Sequence, residues 1–318
     1  MERKIIQMRH VFACGLACFM LLLSGCERAP TADVALEGVA LHGQLSYIRD
    51  RNMETFEIVI VDLASGRQRT LAVPDQVAAM DFAPDGTHLL GHVTVGDVGQ
   101  TMRTLTKIDF GSAEHSAFER FHQNEMYPRY SPDGSRIAYF AWVGEGTERA
   151  YLYLRDADGS NPRRLDCPGK VCAHPRWHPD GDRLIYHVDD TKIVETSLND
   201  NRHTVLFQED NLGRELRHPF YSPGGDAAYY SWRRGSPPNV RESEIRRIDL
   251  TTGATETVYQ TRGWITYADS TGIDGVITFS EGPRLRPLQL VHLLNEASGE
   301  VITLSDPSWS SRDPVWGP

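Results

Sequence analysis

Four short segments of this chain align without gaps: Phe82-Ala83-Pro84-Asp85-Gly86, Tyr130-Ser131-Pro132-Asp133-Gly134, Trp177-His178-Pro179-Asp180-Gly181 and Tyr221-Ser222-Pro223-Gly224-Gly225. They recur at intervals of 48, 47 and 44 residues, and self-similarity at that period is the mark of a repeat architecture. In each copy an aromatic residue stands two places before a proline, whose fixed φ starts a turn. Aspartate in three of the copies can hydrogen-bond its own backbone, and glycine takes the positive φ that lets the chain reverse. A short β run follows, as in "SRIAYFAW" (135–142), "DRLIYHV" (182–188) and "DAAYYSW" (226–232). After a variable loop comes a third strand such as "IVIVD" (58–62), "AYLYLRD" (150–156) or "SEIRRIDL" (243–250). A second turn then runs from Asp62 to Gly66, Asp156 to Gly159, Asp249 to Gly253 and Asn295 to Gly299, and leads to a fourth strand. Four strands in about 46 residues make one propeller blade, so the chain is expected to be all-β.

A fifth junction is degenerate, in "YADSTGIDGVITF" (267–279), and a sixth ends the chain at Pro314-Val315-Trp316-Gly317-Pro318. The last repeats the P-x-aromatic-x-P pattern of Pro128–Pro132, Pro175–Pro179 and Pro219–Pro223, so it reads as a first strand without its blade. Near the other end, "GQLSYIRD" (43–50) and "FEIVIVDLASGRQRTL" (56–71) supply the second, third and fourth strands of a blade that lacks its first. An unpaired edge strand is an exposed hydrogen-bonding template, and joining these halves removes it. The expectation is a six-bladed β-propeller of four-stranded antiparallel blades over residues 37–318, closed by pairing of the C-terminal strand with the strand near Tyr47.

The segments "YSPDGSRIAY" and "WHPDGDRLIY" resemble the TolB-type, WD40-like β-propeller repeat, whose usual form is an aromatic residue, Ser-Pro-Asp-Gly and a strand. The likeness covers roughly residues 40 to 318, with four clear repeats, one degenerate and one split. It implies a six-bladed propeller in the bacterial envelope. TolB itself carries a separate α/β domain ahead of its propeller and links the Tol machinery to the peptidoglycan-associated lipoprotein. The present chain is expected to depart from that pattern, because only about ten residues separate Cys26 from the first expected strand.

Residues 1–25 read as a secretory signal, with Arg3, Lys4 and Arg9 in the positive region and Val11 to Leu23 as the apolar run. The boundary Leu23-Ser24-Gly25-Cys26 resembles the lipobox of bacterial lipoproteins, which makes Cys26 the expected lipid attachment point and residues 26–36 a tether. Acyl chains there would anchor the protein firmly, since each buried methylene contributes about 0.8 kcal/mol. Glu27 stands where inner-membrane retention signals have Asp, which directs the expectation to the periplasmic side of the outer membrane. Cys167 and Cys172, spaced C-x4-C around a Pro-Gly turn, are expected to close as a disulfide in an oxidising compartment. A zinc half-site is the competing reading, but no second pair of suitable spacing follows. The formal net charge of −10 makes nucleic acid a poor partner. The expected partners are an envelope protein, a small ligand or a carbohydrate, and the protein is expected to be a monomer.

No nucleophile elbow, zincin, phosphate-loop or dinucleotide signature occurs in the sequence. Ligand sites in propellers lie where first strands enter the central channel. The residue before each P-x-aromatic-x-P is Tyr127, His174, His218 or Asp313, with Arg129 and Arg176 one step inside, and these six are expected to converge on one opening. His174 and His218 occupy equivalent positions in adjacent repeats and with Asp313 offer a His/His/carboxylate set for a divalent metal. Oligogalacturonate lyases, which look like relatives of this repeat class, similarly hold a metal with histidines in a propeller funnel. The bland alternative is that a polar residue before proline solvates the strand entrance. Trp142 and Trp232 end second strands, where each offers a ring for a sugar or a protein partner, or else covers a blade edge. Loop 233–244 carries Arg233, Arg234, Arg241 and Pro237-Pro238, a local basic patch that reads as a docking surface or a solvated loop. The leading expectation is a non-enzymatic binding scaffold without cofactor. The rival is a metal-dependent polysaccharide lyase in which Arg129 or Arg176 meets a uronate carboxylate.

Overall fold

The computed structural model describes residues 34–51, 55–73, 76–95, 102–112, 114–144, 149–235, 239–282 and 288–318. The signal region, Cys26, Pro237-Pro238 and most of loop 143–149 lie outside the described residues. Every element that they form is a strand. β1 (Gln44–Arg51), β2 (Thr55–Asp62) and β3 (Gln68–Val73) begin the series. A second set is β4 (Gln76–Phe82), β5 (His88–Val95), β6 (Met102–Asp109) and β7 (His115–Ala117). A third is β8 (Asn124–Tyr130), β9 (Arg136–Val143), β10 (Arg149–Asp156) and β11 (Arg163–Arg164). Then come β12 (Cys172–Trp177), β13 (Arg183–Val188), β14 (Lys192–Ser197) and β15 (His203–Gln208). They are followed by β16 (Arg214–Tyr221), β17 (Ala227–Arg234), β18 (Glu242–Asp249) and β19 (Thr255–Thr261). The last set is β20 (Trp264–Ser270), β21 (Val276–Gly282), β22 (Leu290–Asn295) and β23 (Val301–Thr303). Finally β24 (Ser310–Gly317) pairs antiparallel with β1, so that the first sheet has the order β24-β1-β2-β3.

Within each set consecutive strands pair antiparallel, and the second and third sets are linked by a single parallel bridge between Arg103 and Asn124. The innermost strands pack in succession: β4 on β8, β8 on β12, β12 on β16, β16 on β20, β20 on β24, and β24 on β4. Because each sheet is covered on both faces by its neighbours, strands such as β2, β9 and β17 are buried through consecutive residues rather than alternate ones. In β2, Ile58 and Ile60 pack with Val77, Phe82 and Leu89 of the next sheet, while Val59 and Val61 pack with Val276, Val291 and Leu293 of the last. The outermost strands β15 and β19 are largely exposed.

The repeated turns have one geometry. Gly86, Gly134, Gly181 and Gly225 each donate N–H to the carbonyl three residues back, at 2.8–2.9 Å, and each has a φ of 69–75°. Proline therefore sits at the second position of a turn whose last residue must be left-handed, a place for glycine. At the degenerate junction Gly272 and Gly275 have the same positive φ.

Ahead of β1, Leu36 and Val39 form a small bridge. Val34 and Leu36 pack into the cluster of Leu45, Tyr47 and Leu293, so the packed body begins inside the stretch that the sequence reading gives to the tether. Glu37 N donates to Glu300 at 2.8 Å and Asn295 Nδ2 to Glu37 O at 3.1 Å. The N-terminal segment is thereby held at the β22–β23 turn. That turn lies on the same side of the molecule as the proline turns, since Glu296 N donates to Gly275 O.

Candidate functional site

Among the described residues, five inner strands carry one non-glycine residue each at positive φ: Ala79 (50°), Tyr127 (53°), His174 (58°), His218 (48°) and Asp313 (52°). Each lies where pairing with the adjacent strand slips by a residue. Such a β-bulge re-aims a side chain, and the left-handed backbone costs on the order of 1–3 kcal/mol at each position. Four of the five precede proline and are the four that the P-x-aromatic-x-P pattern singles out.

These bulges bring three rings together. Tyr127 and His174 have centroids 4.1 Å apart, His174 and His218 4.3 Å, and Tyr127 and His218 6.0 Å. Desolvation, followed by the neighbouring His218 and His187, holds the His174 imidazole well below its ordinary pKa. His218 is lowered likewise by burial and Arg217. Burial and the nearby Asp313 raise Tyr127 to about 12. All three rings are therefore neutral near pH 7. Asp313 accepts from Ala79 N at 3.2 Å and from Arg312 at 3.2 Å.

Arg129 and Arg176 occupy a second layer, which corrects the expectation that all six residues share one opening. Arg129 is 2% exposed. Its Nη1 donates to the carbonyls of Ala79, Met80 and Pro128, and its Nη2 to the Tyr267 hydroxyl at 2.6 Å. Arg176 pairs through Nε and Nη2 with both oxygens of Asp269 and also bonds Tyr267. Both guanidiniums are thus engaged inside the protein, and neither is placed to receive a uronate carboxylate. Beside them Asp81, which accepts from Tyr130 N at 2.8 Å, is raised to about 6 by burial against the opposing pull of Arg129 and Arg176. This layer separates the ring cluster from a recess of about 380 Å³ edged by Pro84, Pro132, Pro179, Pro223 and Pro318.

A larger cavity, about 670 Å³, opens beside the ring cluster between the third and fourth sheets. Tyr127, Phe140 and Trp142 line it, as do Lys170, His174 and His187. The disulfide between Cys167 and Cys172 closes the loop that carries Lys170. Against this loop, Asp189 and Asp190 form the β13–β14 turn with both φ values positive, at 51° and 55°, and Thr191 N donates to Val188 O. The turn aims both carboxylates: Asp189 Oδ1 accepts the amides of Lys170 and Val171, and Asp190 Oδ2 accepts from Arg217 at 2.6 Å. Asp190 Oδ1 also lies 3.0 Å from His187 Nδ1, and His187 Nε2 lies 2.7 Å from His174 Nδ1.

Of the two candidate surface tryptophans, the structure brings Trp142 to this cavity. Trp232 is 3% exposed, with its indole N–H on Glu209 at 2.9 Å and Arg246 over its ring, so it covers a sheet and offers no surface. Among the described residues no group of three or more His, Cys, Asp or Glu is arranged to hold a metal. Sequence reading missed His187, Asp190 and Lys170. The one available signal was the three-residue connection Asp189-Asp190-Thr191 between two β runs, too short to avoid left-handed residues.

No family model matches the chain. It is 30% identical over 201 residues to the Tol-Pal system protein TolB of Methylococcus capsulatus, a match covering 54% of this chain and 45% of that protein. In solved structures it superposes on TolB from Acinetobacter baumannii with a TM-score of 0.66 at 16% identity, over 87% of this chain and 67% of that one. The chain has the TolB-type β-propeller fold. An oligogalacturonate lyase solved in complex with manganese is similar to this TolB-type propeller with a TM-score of 0.54 at 13% identity, over 81% and 77% of the two chains. The propeller spans less than half the length of the curated TolB relatives that it matches.

Proposed function

We propose that this TolB-type propeller is a non-enzymatic binding scaffold of the bacterial envelope, lipid-anchored through Cys26 at the periplasmic side of the outer membrane. In this reading the six four-stranded sets are blades of one closed ring, and its partner is a protein of the Tol-Pal kind. The observation that carries the reading is the 30% identity to TolB over 201 residues, with the same fold beneath it. Ring closure is supported by the β24–β1 pairing and by the unbroken succession of inner-strand contacts. The plugged axis supports binding over catalysis, because its guanidiniums are already paired in the interior.

A photo-crosslinking amino acid placed at exposed Val143 or Ser298, activated in intact cells, tests the partner. The expected outcome is an adduct with a Tol-Pal component. Adducts confined to unrelated proteins would overturn the reading. Separately, Cys26→Ser should move the protein from the membrane fraction to the soluble periplasm.

A further inference from the structure

The 670 Å³ cavity has the size of a small-molecule site. One wall is aromatic: Tyr127 stacks with Phe140 at 5.6 Å, and Phe140 meets Trp142 edge-on at 6.4 Å. The opposite side is polar but balanced. Lys170 and Arg217 carry two positive charges, Asp189 and Asp190 two negative ones, and the buried imidazoles of His174 and His187 are neutral. A lining whose formal charges cancel gives no net attraction to an anion or a cation, while it supplies both donors and acceptors.

The acceptor follows from the tautomers that suit the Asp190, His187 and His174 contacts. With the His187 proton on Nδ1, 3.0 Å from an Asp190 oxygen, His187 Nε2 is the acceptor for His174 Nδ1–H. His174 Nε2 then has no proton and can only accept. Beside it, His218 Nδ1 is a buried nitrogen without a protein partner. Lys170, exposed at the rim, can only donate. The wall against which these groups stand is rigid, since the disulfide and the two amides on Asp189 pin its loop.

We propose that this cavity is a binding site for an uncharged sugar ring, whose apolar face stacks on Trp142 while one hydroxyl donates to His174 and another group accepts from Lys170. A pyranose matches the lining because it pairs a flat C–H face with an edge of hydroxyls that both donate and accept. A free saccharide and the terminus of a longer glycan present the same chemistry.

Calorimetric and saturation-transfer NMR titrations of the purified protein test this with cellobiose, with N,N′-diacetylchitobiose and with glucuronate. Saturable binding of at least one neutral disaccharide is expected. Loss of that binding in Trp142→Ala, its retention in Trp142→Tyr, and an affinity about tenfold weaker in Lys170→Ala complete the expectation. Trp142→Tyr keeps a stacking ring, so it separates lost contact from lost folding. Chitobiose binding without cellobiose would assign the site to an acetamido-sugar glycan, and the reverse to a plain saccharide. No binding of either disaccharide, binding of glucuronate alone, or an affinity unchanged in Trp142→Ala would overturn the proposal.

Discussion

His92 shows how the interior responds to acid. Burial, together with Arg103, Arg312 and Arg129, pushes its pKa down to about 3. The unfolded state, with a pKa near 6.5, binds a proton that the folded state refuses, so this contribution is complete above that value and is lost as pH falls toward 3. At about pH 5 the loss is about 2 kcal/mol. His174, His187 and His218 shift in the same direction. Asp81, raised to about 6, works against them, since its protonation in the folded state regains stability as pH falls through that value. With these four histidines, and His88 and His292 lowered as well, against Asp81, the melting temperature should fall between pH 7.5 and 5, and His92→Leu should make the fall shallower. A flat profile in calorimetry would contradict this. Arg129 gives a second expectation at the same scale. Arg129→Met takes the guanidinium from three buried carbonyls, leaves Arg176 as the remaining donor to the Tyr267 hydroxyl, and should cost about 3–5 kcal/mol in urea denaturation. The same change at the exposed Arg202 should fall within about 0.5 kcal/mol.

Among the elements, β24 and the Cys167–Cys172 loop carry distinct expectations. Deleting residues 310–318 removes the partner of β1 and uncovers Val77 and Phe82, so the truncated chain should melt far below the intact one. Cys167→Ser/Cys172→Ser opens a short loop and should cost about 2 kcal/mol in thermal unfolding. Most of the strand pattern was legible in the sequence, because turn and strand chemistry are local: "SRIAYFAW" becomes β9 and "DRLIYHV" becomes β13 with ends displaced by a residue or two. The bulge positions were legible as well, through the proline that follows Tyr127, His174, His218 and Asp313. What these side chains meet was not legible. Arg129 finds Tyr267 across 138 residues and Arg176 finds Asp269 across 93, pairings set by how the sheets stand around the axis. Trp142 and Trp232 end equivalent strands, yet only the second has a glutamate from its own sheet's approach, Glu209, to bury its N–H.

At the scale of the whole molecule, the two ends of the inner-strand bundle differ in chemistry. One end is a shallow recess rimmed by prolines and floored by paired charges, and the other holds the imidazole cluster and the deeper cavity. Residues 34–39 dock beside the β22–β23 turn, on the side of the proline rim. Seven residues lie between Cys26 and Val34, eight Cα-to-Cα steps and so a leash of at most about 28 Å. An acylated Cys26 would therefore hold the proline rim toward the lipid and turn the cavity away from it. A bimane probe at Ser298→Cys should be quenched by doxyl lipids in reconstituted vesicles more strongly than one at Val143→Cys. With that anchor in place, the small contact of Glu37 with Glu300 and Asn295 would act as a compass: whatever enters beside Trp142 would arrive from the cell-wall side and not from the bilayer.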